Sequence, residues 1–214
     1  MIEFNYIPSK KNIKDICVFG VLKTDAGIRI KQEMLEWLTD IYNVIAVIQD
    51  APGILFEWPA LYCAQATSIS MNKPILYLHT KGAGNSNTRY KQSYVRKLWK
   101  DEFYYHKKDY IESVNTKTPI VACPIISNEL KITWWNGFIA NPKAWELIGT
   151  IQPNTNRFVY EQLFKNSSVN VFGRITSHYT TNADGVYSAA NFINNYDNKT
   201  HYNNFIKHWN KTNI

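Results

Sequence analysis

The sequence predicts an α/β fold, in one domain with a mainly parallel central sheet flanked by helices. Several short apolar runs lack polar alternation, which is typical of parallel strands buried on both faces. Segments with helical periodicity separate these runs, as in alternating strand–helix folds. The length of 214 residues suits one domain with a sizeable core, and we find no internal repeat and no linker.

Strand and helix alternate through the first half of the chain. Residues 15–22, 44–50 and 74–80 are apolar runs that predict three strands. Between the second and third strands, residues 56–71 predict a helix in which Pro59 falls in the first turn. The helix between the first two strands is predicted by apolar residues that share one face: Ile30, Met34, Trp37, Leu38 and Ile41.

The second half continues with a long helix predicted over residues 93–114. Its apolar stripe consists of Val95, Leu98, Trp99, His106 and Tyr110, and a second, basic face consists of Arg96, Lys97, Lys100, Lys107 and Lys108. The remaining predicted elements are a strand at 119–126, a strand or loop at 132–140, helices at 141–148 and 157–165, and a strand at 169–175. From Ser177 the chain is rich in Asn and Tyr; we expect a helix over 186–193 and a mobile extension from about residue 195.

Composition points to a negatively charged partner. The formal net charge is +7, from 24 Lys and Arg against 17 Asp and Glu. A nucleic acid, a phosphate-bearing ligand or an anionic membrane surface would each suit that charge.

Cysteine usage and hydropathy exclude several classes of protein. Three cysteines lie far apart, which argues against a disulfide framework and a zinc knuckle. The polar N-terminus has no signal-peptide region, and no apolar run approaches the roughly 20 residues of a membrane span. We therefore expect a cytoplasmic protein, with peripheral contact at the inner face of the membrane still open.

Polar and glycine residues follow the third predicted strand directly, in the order His79-Thr80-Lys81-Gly82. Loops at the carboxyl ends of parallel strands are the usual ligand sites of open α/β sheets. Glycines let a ligand approach the main chain, and the Lys81 ammonium can neutralise a phosphate. The order is neither that of a Walker loop nor that of a dinucleotide fingerprint, and a plain glycine-rich turn remains an alternative.

Three further segments are candidates for the rest of a site. Asp50 ends the second strand, where it can bond a ribose hydroxyl or a nucleobase, or close the strand in an Asx-turn. The segment Trp135-Asn136-Gly137 offers aromatic surface beside a polar side chain, which suits a sugar but is also common in cores. Arg157 and Glu161 are four residues apart on a predicted helix, as a catalytic pair or a surface ion pair would be.

Taken in order, these segments resemble a glycosyltransferase of the GT-A-like, nucleotide-sugar class, with its Rossmann-like domain. ILYLHTKGA resembles the position where that class usually carries its metal-binding DxD. WWNGFIANPKAWELIG resembles its acceptor strand and the following helix, and RFVYEQLF the helix that supplies an acidic residue near the acceptor. The combined pattern, over roughly residues 15 to 180, is similar to bacterial glycosyltransferase-like proteins found with surface-polysaccharide genes.

The resemblance implies transfer of a sugar from a nucleotide-diphosphate donor to a saccharide or lipid-linked acceptor. Glu161 would act as general base or orient the acceptor hydroxyl, helped by Arg157. Donor-binding residues would be Asp50, His79, Thr80, Lys81 and Gly82, and acceptor-binding residues Trp135, Asn136 and Gly137.

The chain departs from the family at the DxD position, where His79-Thr80-Lys81 replaces both carboxylates. Mg²⁺ and Mn²⁺ prefer carboxylate oxygens to a site that contains lysine. We therefore expect Lys81, with Arg89 or Arg96, to stabilise the departing diphosphate instead of a metal. Binding of a softer divalent ion by His79 and His178 remains an alternative, and no cofactor is assigned with certainty.

Two other functions stay open at this point. The missing carboxylates are compatible with a non-catalytic relative that binds a carbohydrate or a partner protein. A nucleic-acid-binding protein is disfavoured, since no RRM, HTH or KH signature is present. Residues 89–117 hold 8 basic and 4 acidic residues, and this excess of +4 lies directly after the glycine loop. That position favours a sugar nucleotide, or an anionic membrane with a lipid-linked acceptor.

Overall fold

The computed structural model describes residues 1–50, 57–80, 89–126, 131, 133, 137–154, 156, 158–173 and 175–176. It has the predicted α/β class, with a seven-stranded sheet and helices on both faces. The strands of this sheet are β1 (Ile2–Ile7), β2 (Ile16–Leu22), β3 (Asn43–Gln49), β4 (Ile75–His79), β5 (Ile120–Ala122), β7 (Phe138–Ala140) and β8 (Asn170–Phe172). A separate parallel pair consists of β6 (Ile125–Ile126) and β9 (Ile175–Thr176).

The sheet is mixed, with the strand order β1-β3-β2-β4-β7-β5-β8. β3–β2, β2–β4 and β5–β8 are parallel pairs. β1–β3, β4–β7 and β7–β5 are antiparallel pairs. The predicted parallel strands β2, β3 and β4 therefore form a parallel unit, with antiparallel neighbours on both sides.

Six α-helices are described. They are α1 (Asp25–Ile41), α2 (Trp58–Met71), α3 (Arg89–Lys100), α4 (Lys107–Val114), α5 (Pro142–Leu147) and α6 (Phe158–Glu161). Thr24 caps α1 by accepting a hydrogen bond from the Gly27 amide at 3.0 Å, and Pro59 lies in the first turn of α2 as predicted. Among the described helices, none is both long and apolar enough to cross a bilayer.

Side chains of the central strands alternate between two cores. Phe19, Ala46 and Leu78 point to the face covered by α1, α3 and α4. Val18 and Tyr77 point to the face covered by α2, α5 and α6. Each strand is thus buried on both sides, which explains its continuous apolar sequence.

The single helix predicted over 93–114 is wrong, because a π-helical turn (Asp101–Tyr105) separates α3 from α4. Glu102 lies in this turn and is 2% exposed. A buried carboxylate needs a hydrogen-bond donor, and the Tyr110 hydroxyl donates to Glu102 Oε2 at 2.5 Å. His106 ends the turn with its side chain 41% exposed, so it does not belong to the apolar stripe.

Two other elements differ from the prediction. β1 was not expected from the polar N-terminal stretch, although the alternation of apolar and polar residues along it is the pattern of a half-buried strand. The predicted strand 119–126 divides into β5 and β6, because the chain leaves the large sheet after Ala122 and pairs with β9. The predicted helix over 186–193 lies outside the described residues.

Candidate functional site

The candidate site lies at the edge of the sheet where β2, β3 and β4 end; we call this the carboxyl edge. The three strands run parallel, so Lys23, Asp50 and Thr80 follow them at this edge. β7 runs antiparallel to β4, with Phe138 opposite Tyr77. The chain therefore enters β7 at the carboxyl edge, directly after Gly137. This topology brings the segment before β7 to the strand ends that the sequence singled out.

A carboxylate and an imidazole meet at the end of β4. Glu57 Oε1 lies 3.6 Å from His79 Nε2, and the two side chains are 24% and 12% exposed. The Tyr77 hydroxyl donates to Glu57 Oε2 at 3.5 Å. Burial, and then the charge of Glu57, raises the pKa of Tyr77 well above its ordinary value, so this hydroxyl keeps its proton. Glu57 therefore lies between two polar side chains and remains partly open to solvent.

Glu57 was not singled out by sequence reasoning, although a signal was available. It stands at the N-cap position of α2, the helix that follows β3. A helix that follows a parallel strand begins at that strand's carboxyl end, and its N-terminus favours a negative charge. An acidic residue at such a helix start is therefore a candidate for the carboxyl edge.

Two aromatic rings, those of Trp99 and Tyr77, pack against His79. Its ring lies edge-on to Trp99, with 5.6 Å between ring centroids, and 6.2 Å from the ring of Tyr77. Trp99 is buried and reaches the backbone of Gly137, where a Cβ would stand 2.0 Å from Trp99 Nε1. Gly137, a predicted acceptor-binding residue, is thus placed at the carboxyl edge and also permits the close approach of Trp99.

Thr80 joins the ends of β4 and β2. Its amide donates to the Gly20 carbonyl at 2.9 Å, and its hydroxyl accepts from the Leu22 amide at 3.2 Å. Thr80 is 7% exposed. These contacts give Thr80, a predicted donor-binding residue, a structural role in fixing the position at which the following loop begins.

Asp50 lies at the carboxyl edge within a network of ion pairs. Its carboxylate is 2.7 Å from the Met1 ammonium and 3.2 Å from Lys23 Nζ, and Lys23 is 2.8 Å from Glu3. The Met1 ammonium, and to a smaller extent Lys23, lowers the pKa of Asp50. Glu3, and to a smaller extent Asp50, raises the pKa of Lys23. Asp50 and His79 are separated by one strand, β2, which corresponds to about 10 Å between the strand axes.

Glu161 is the last residue of α6 and is partly buried. Its backbone carbonyl accepts from the Thr133 amide at 3.1 Å. The preceding residue, Tyr160, is buried, and its hydroxyl accepts from the Asn154 amide at 2.8 Å. Burial raises the pKa of Tyr160, and the charge of Glu57 raises it further. α6 therefore lies within electrostatic range of the carboxyl edge.

Several predicted site residues lie outside the described residues. They are Lys81, Gly82, Trp135, Asn136, Arg157 and His178. The described neighbours Thr80 and Gly137 place the two ends from which residues 81 and 136 continue at the carboxyl edge.

Arg96, one residue of the predicted basic face, is buried, whereas Lys97, Lys100 and Lys108 are exposed. Arg96 is 5% exposed, and its Nε lies 3.4 Å from Glu33 Oε1, so it does not belong to a solvent-facing basic surface. Its long side chain spans from α3 to α1, where burial requires a charged partner. Three lysines also have carboxylate partners: Lys97 with Asp101 at 3.2 Å, Lys107 with Asp15 at 2.5 Å, and Lys108 with Glu112 at 3.7 Å.

Within the described ranges, no group of three His, Cys, Asp or Glu side chains could hold a metal ion. The pair Glu57–His79 has both ligand types, but a metal there would need a further ligand from another residue. Comparison of the chain with protein-family models, with curated proteins and with solved structures gave no match.

Proposed function

We propose that the protein is a GT-A-like glycosyltransferase that moves a sugar from a nucleotide-diphosphate donor to a saccharide or lipid-linked acceptor. The observation that carries this proposal is the Glu57–His79 pair at the carboxyl edge, between the starts of two segments that the sequence associates with donor and acceptor. The resemblance to glycosyltransferases of bacterial surface-polysaccharide synthesis supplies the reaction class. In that setting the protein would work in the cytoplasm, and a lipid-linked acceptor would bring it to the inner face of the membrane.

The donor half of the proposed site runs along the ends of β3, β2 and β4. The nucleoside would lie near Asp50 and Lys23, which directly follow β3 and β2 and form an ion pair. The diphosphate would lie beyond Thr80, against Lys81 and the amide of Gly82. A cation fixed at the leaving diphosphate stabilises the charge that develops there, as a metal does in other enzymes. Lysine in place of the two carboxylates favours this solution over a divalent ion.

The acceptor half is built around two carboxylates. Glu57 is partly exposed beside Tyr77 and His79, where a general base could reach an acceptor hydroxyl. We assign removal of the acceptor proton to Glu57 and orientation of the acceptor hydroxyl to Glu161 with Arg157. Trp135, Asn136 and Gly137 would shape the sugar pocket, and the contact of Gly137 with Trp99 would set the position of this segment.

The experiment measures binding and turnover with the purified full chain. UDP-, GDP-, CMP- and dTDP-sugars are screened by thermal shift with and without Mn²⁺, and sugar transfer is measured with the nucleotide that binds. Lys81→Ala is expected to lose donor binding, because the diphosphate loses its cation. Glu57→Gln is expected to retain donor binding and to lose about 10²–10⁴-fold in turnover, because an amide cannot take the acceptor proton.

The matched control is Glu112→Gln, which makes the same change on an exposed carboxylate of α4 that is paired with Lys108. It is expected to leave binding and turnover unchanged. Wild-type turnover in Glu57→Gln would contradict the base assignment, and a loss in Glu161→Gln alone would transfer the role to that residue. Binding of a nucleotide sugar without any transfer would instead indicate the non-catalytic relative. A chain that binds no nucleotide sugar would refute the proposed donor class.

A further inference from the structure

β1 is the first strand in the order of the seven-stranded sheet. It pairs with β3 on one side. On its other side it pairs with no strand of the described chain. Such an edge presents a row of backbone donors and acceptors that another strand can use.

One hydrogen bond determines which residues face this open edge. The Asp50 amide donates to the Met1 carbonyl at 3.3 Å, so Met1 directs its backbone towards β3. In an antiparallel pair the backbone groups of successive residues point to opposite sides. Ile2, Phe4 and Tyr6 therefore direct their N–H and C=O groups to the open edge.

The same three residues carry the exposed apolar side chains of β1. Ile2, Phe4 and Tyr6 are 39%, 60% and 64% exposed. Their side chains share one face of the sheet, since they alternate with Glu3, Asn5 and Ile7. Opposite Phe4 on β3 stands Val47, which is buried in the core beneath α2. β1 thus extends the apolar surface of this core beyond the part that is covered.

We propose that a second copy of the chain pairs with β1 across a two-fold axis at Phe4, to give a symmetric dimer with one continuous sheet. In this register Phe4 stands opposite Phe4 of the second copy, and Ile2 stands opposite Tyr6. Each of these pairs exchanges two backbone hydrogen bonds, because all three residues direct their backbones to the open edge. Their side chains meet on the same face, so each apolar residue contacts an apolar residue.

This symmetry explains why the occupant is a second copy. The pattern of exposed apolar residues is the same when read in either direction from Phe4. An antiparallel copy of β1 therefore places Tyr6 opposite Ile2 and Phe4 opposite Phe4, while Glu3 meets Asn5 on the other face.

The available area suits a dimer of modest affinity. At about 200 Å² for a fully exposed aromatic side chain, Phe4 and Tyr6 leave roughly 250 Å² per chain in water. Met1, Ile2 and the backbone of the edge bring the total for two copies towards about 1,000 Å², which is below the roughly 1,200–2,000 Å² of stable interfaces and in the range of weak, reversible ones. The dimer should consequently dissociate on dilution.

The first test is sedimentation equilibrium of the full chain over a range of concentrations. We expect a monomer–dimer equilibrium for the wild type. Phe4→Lys should raise the dissociation constant by about tenfold or more, since it removes the central contact and places two like charges opposite each other. Tyr105→Lys is the matched control: it replaces an aromatic residue that is 66% exposed elsewhere on the chain, and it should leave the equilibrium unchanged.

The second test examines the register by cross-linking, with Cys63→Ser as the background to remove the partly exposed native thiol. The introduced thiols of Phe4→Cys face each other across a hydrogen-bonded pair whose Cα atoms are about 5.5 Å apart, which suits a disulfide. Asn5→Cys is the control, because in this register the two copies of residue 5 are offset along the strands by about 7 Å.

Because Phe4→Cys also loses the central aromatic contact, both variants are cross-linked at concentrations above the dissociation constant measured for each by sedimentation. Rapid cross-linking of Phe4→Cys and slow cross-linking of Asn5→Cys would then support the proposed register. Equal rates would overturn the register. A wild-type chain that stays monomeric at all concentrations, or species larger than a dimer, would overturn the proposal itself. Because neither test measures sugar transfer, both outcomes are independent of the proposed function.

Discussion

The indole ring of Trp99 restricts which residue can stand at position 137. A Cβ at Gly137 would lie 2.0, 2.3 and 2.8 Å from three atoms of that ring. Trp99 is 1% exposed and also contacts the ring of His79, so it has little space into which to move. Gly137 therefore couples the packing of α3 to the segment that enters β7.

We predict that Gly137→Ala lowers the free energy of unfolding by about 1–3 kcal/mol, the usual range for overpacking a core. Urea denaturation at neutral pH measures the change. Trp99→Phe provides the control, because the smaller ring leaves room for the methyl group. In the Trp99→Phe background the alanine should cost clearly less than in the wild type. An equal cost in both backgrounds would contradict the contact as the cause.

From the sequence, the candidate site could be assigned to the carboxyl edge of the sheet, but the contacts within it could not be predicted. His79, Thr80 and Asp50 were found because each follows an apolar strand, and the structure places all three at the carboxyl edge. Their contacts could not be predicted, since they depend on residues far away in sequence. Thr80 bonds to Leu22, and His79 faces Glu57 across the start of α2.

Among the elements, α5 depends on one buried side chain at its N-cap. Asn141 is 1% exposed, and its Oδ1 accepts from the amides of Ala144 and Ile120, at 3.0 and 3.2 Å. Its Nδ2 donates to the carbonyls of Val114, Thr116 and Thr118, the closest at 2.7 Å. One amide group thus caps α5, anchors the start of β5 and holds the connection from α4.

We predict that Asn141→Ala costs about 3 kcal/mol or more of stability, because the cap is lost and several buried backbone groups lose their partner. Asn141→Asp separates the acceptor role of Oδ1 from the donor role of Nδ2. It retains an oxygen for the amides but has no donor for the carbonyls, and it adds a buried charge. Chemical denaturation of both variants, with Lys143→Ala on the exposed side of α5 as control, measures the effect. A loss below about 1 kcal/mol in Asn141→Ala would contradict the central role of this amide.

How closely the sequence predicts an element depends on how that element is buried. β2, β3 and β4 were predicted within one or two residues, since strands buried on both faces have continuous apolar sequences. β1 was missed because its alternating pattern, although typical of a half-buried strand, covers only six residues within a polar N-terminal stretch. The break between α3 and α4 was missed because it involves Glu102 and Tyr110, whose pairing has no signal in helical periodicity.

The molecule as a whole buries groups that ionise at alkaline pH. Cys17, Cys123, Tyr42 and Tyr77 are all fully buried, and burial raises the pKa of each. In the unfolded chain, thiols ionise near pH 8.5 and tyrosines near pH 10. The folded chain keeps these protons to higher pH, so above those values it binds more protons than the unfolded chain. The stability that these four groups contribute is therefore fully present below about pH 8.5 and falls as the pH rises.

We predict that the free energy of unfolding, measured by urea denaturation from pH 7 to pH 11, declines above about pH 8.5 and more steeply above about pH 10. Cys17→Ala should flatten the first part of the decline, and Tyr77→Phe the second, because each removes one shifted group. The slopes are compared rather than the absolute values, since both substitutions also alter the packing of the core. Tyr105→Phe, at an exposed hydroxyl, is the control and should leave the profile unchanged. A profile that stays level to pH 11, or one that Tyr77→Phe does not alter, would contradict the burial of these groups as the origin of the alkaline limit.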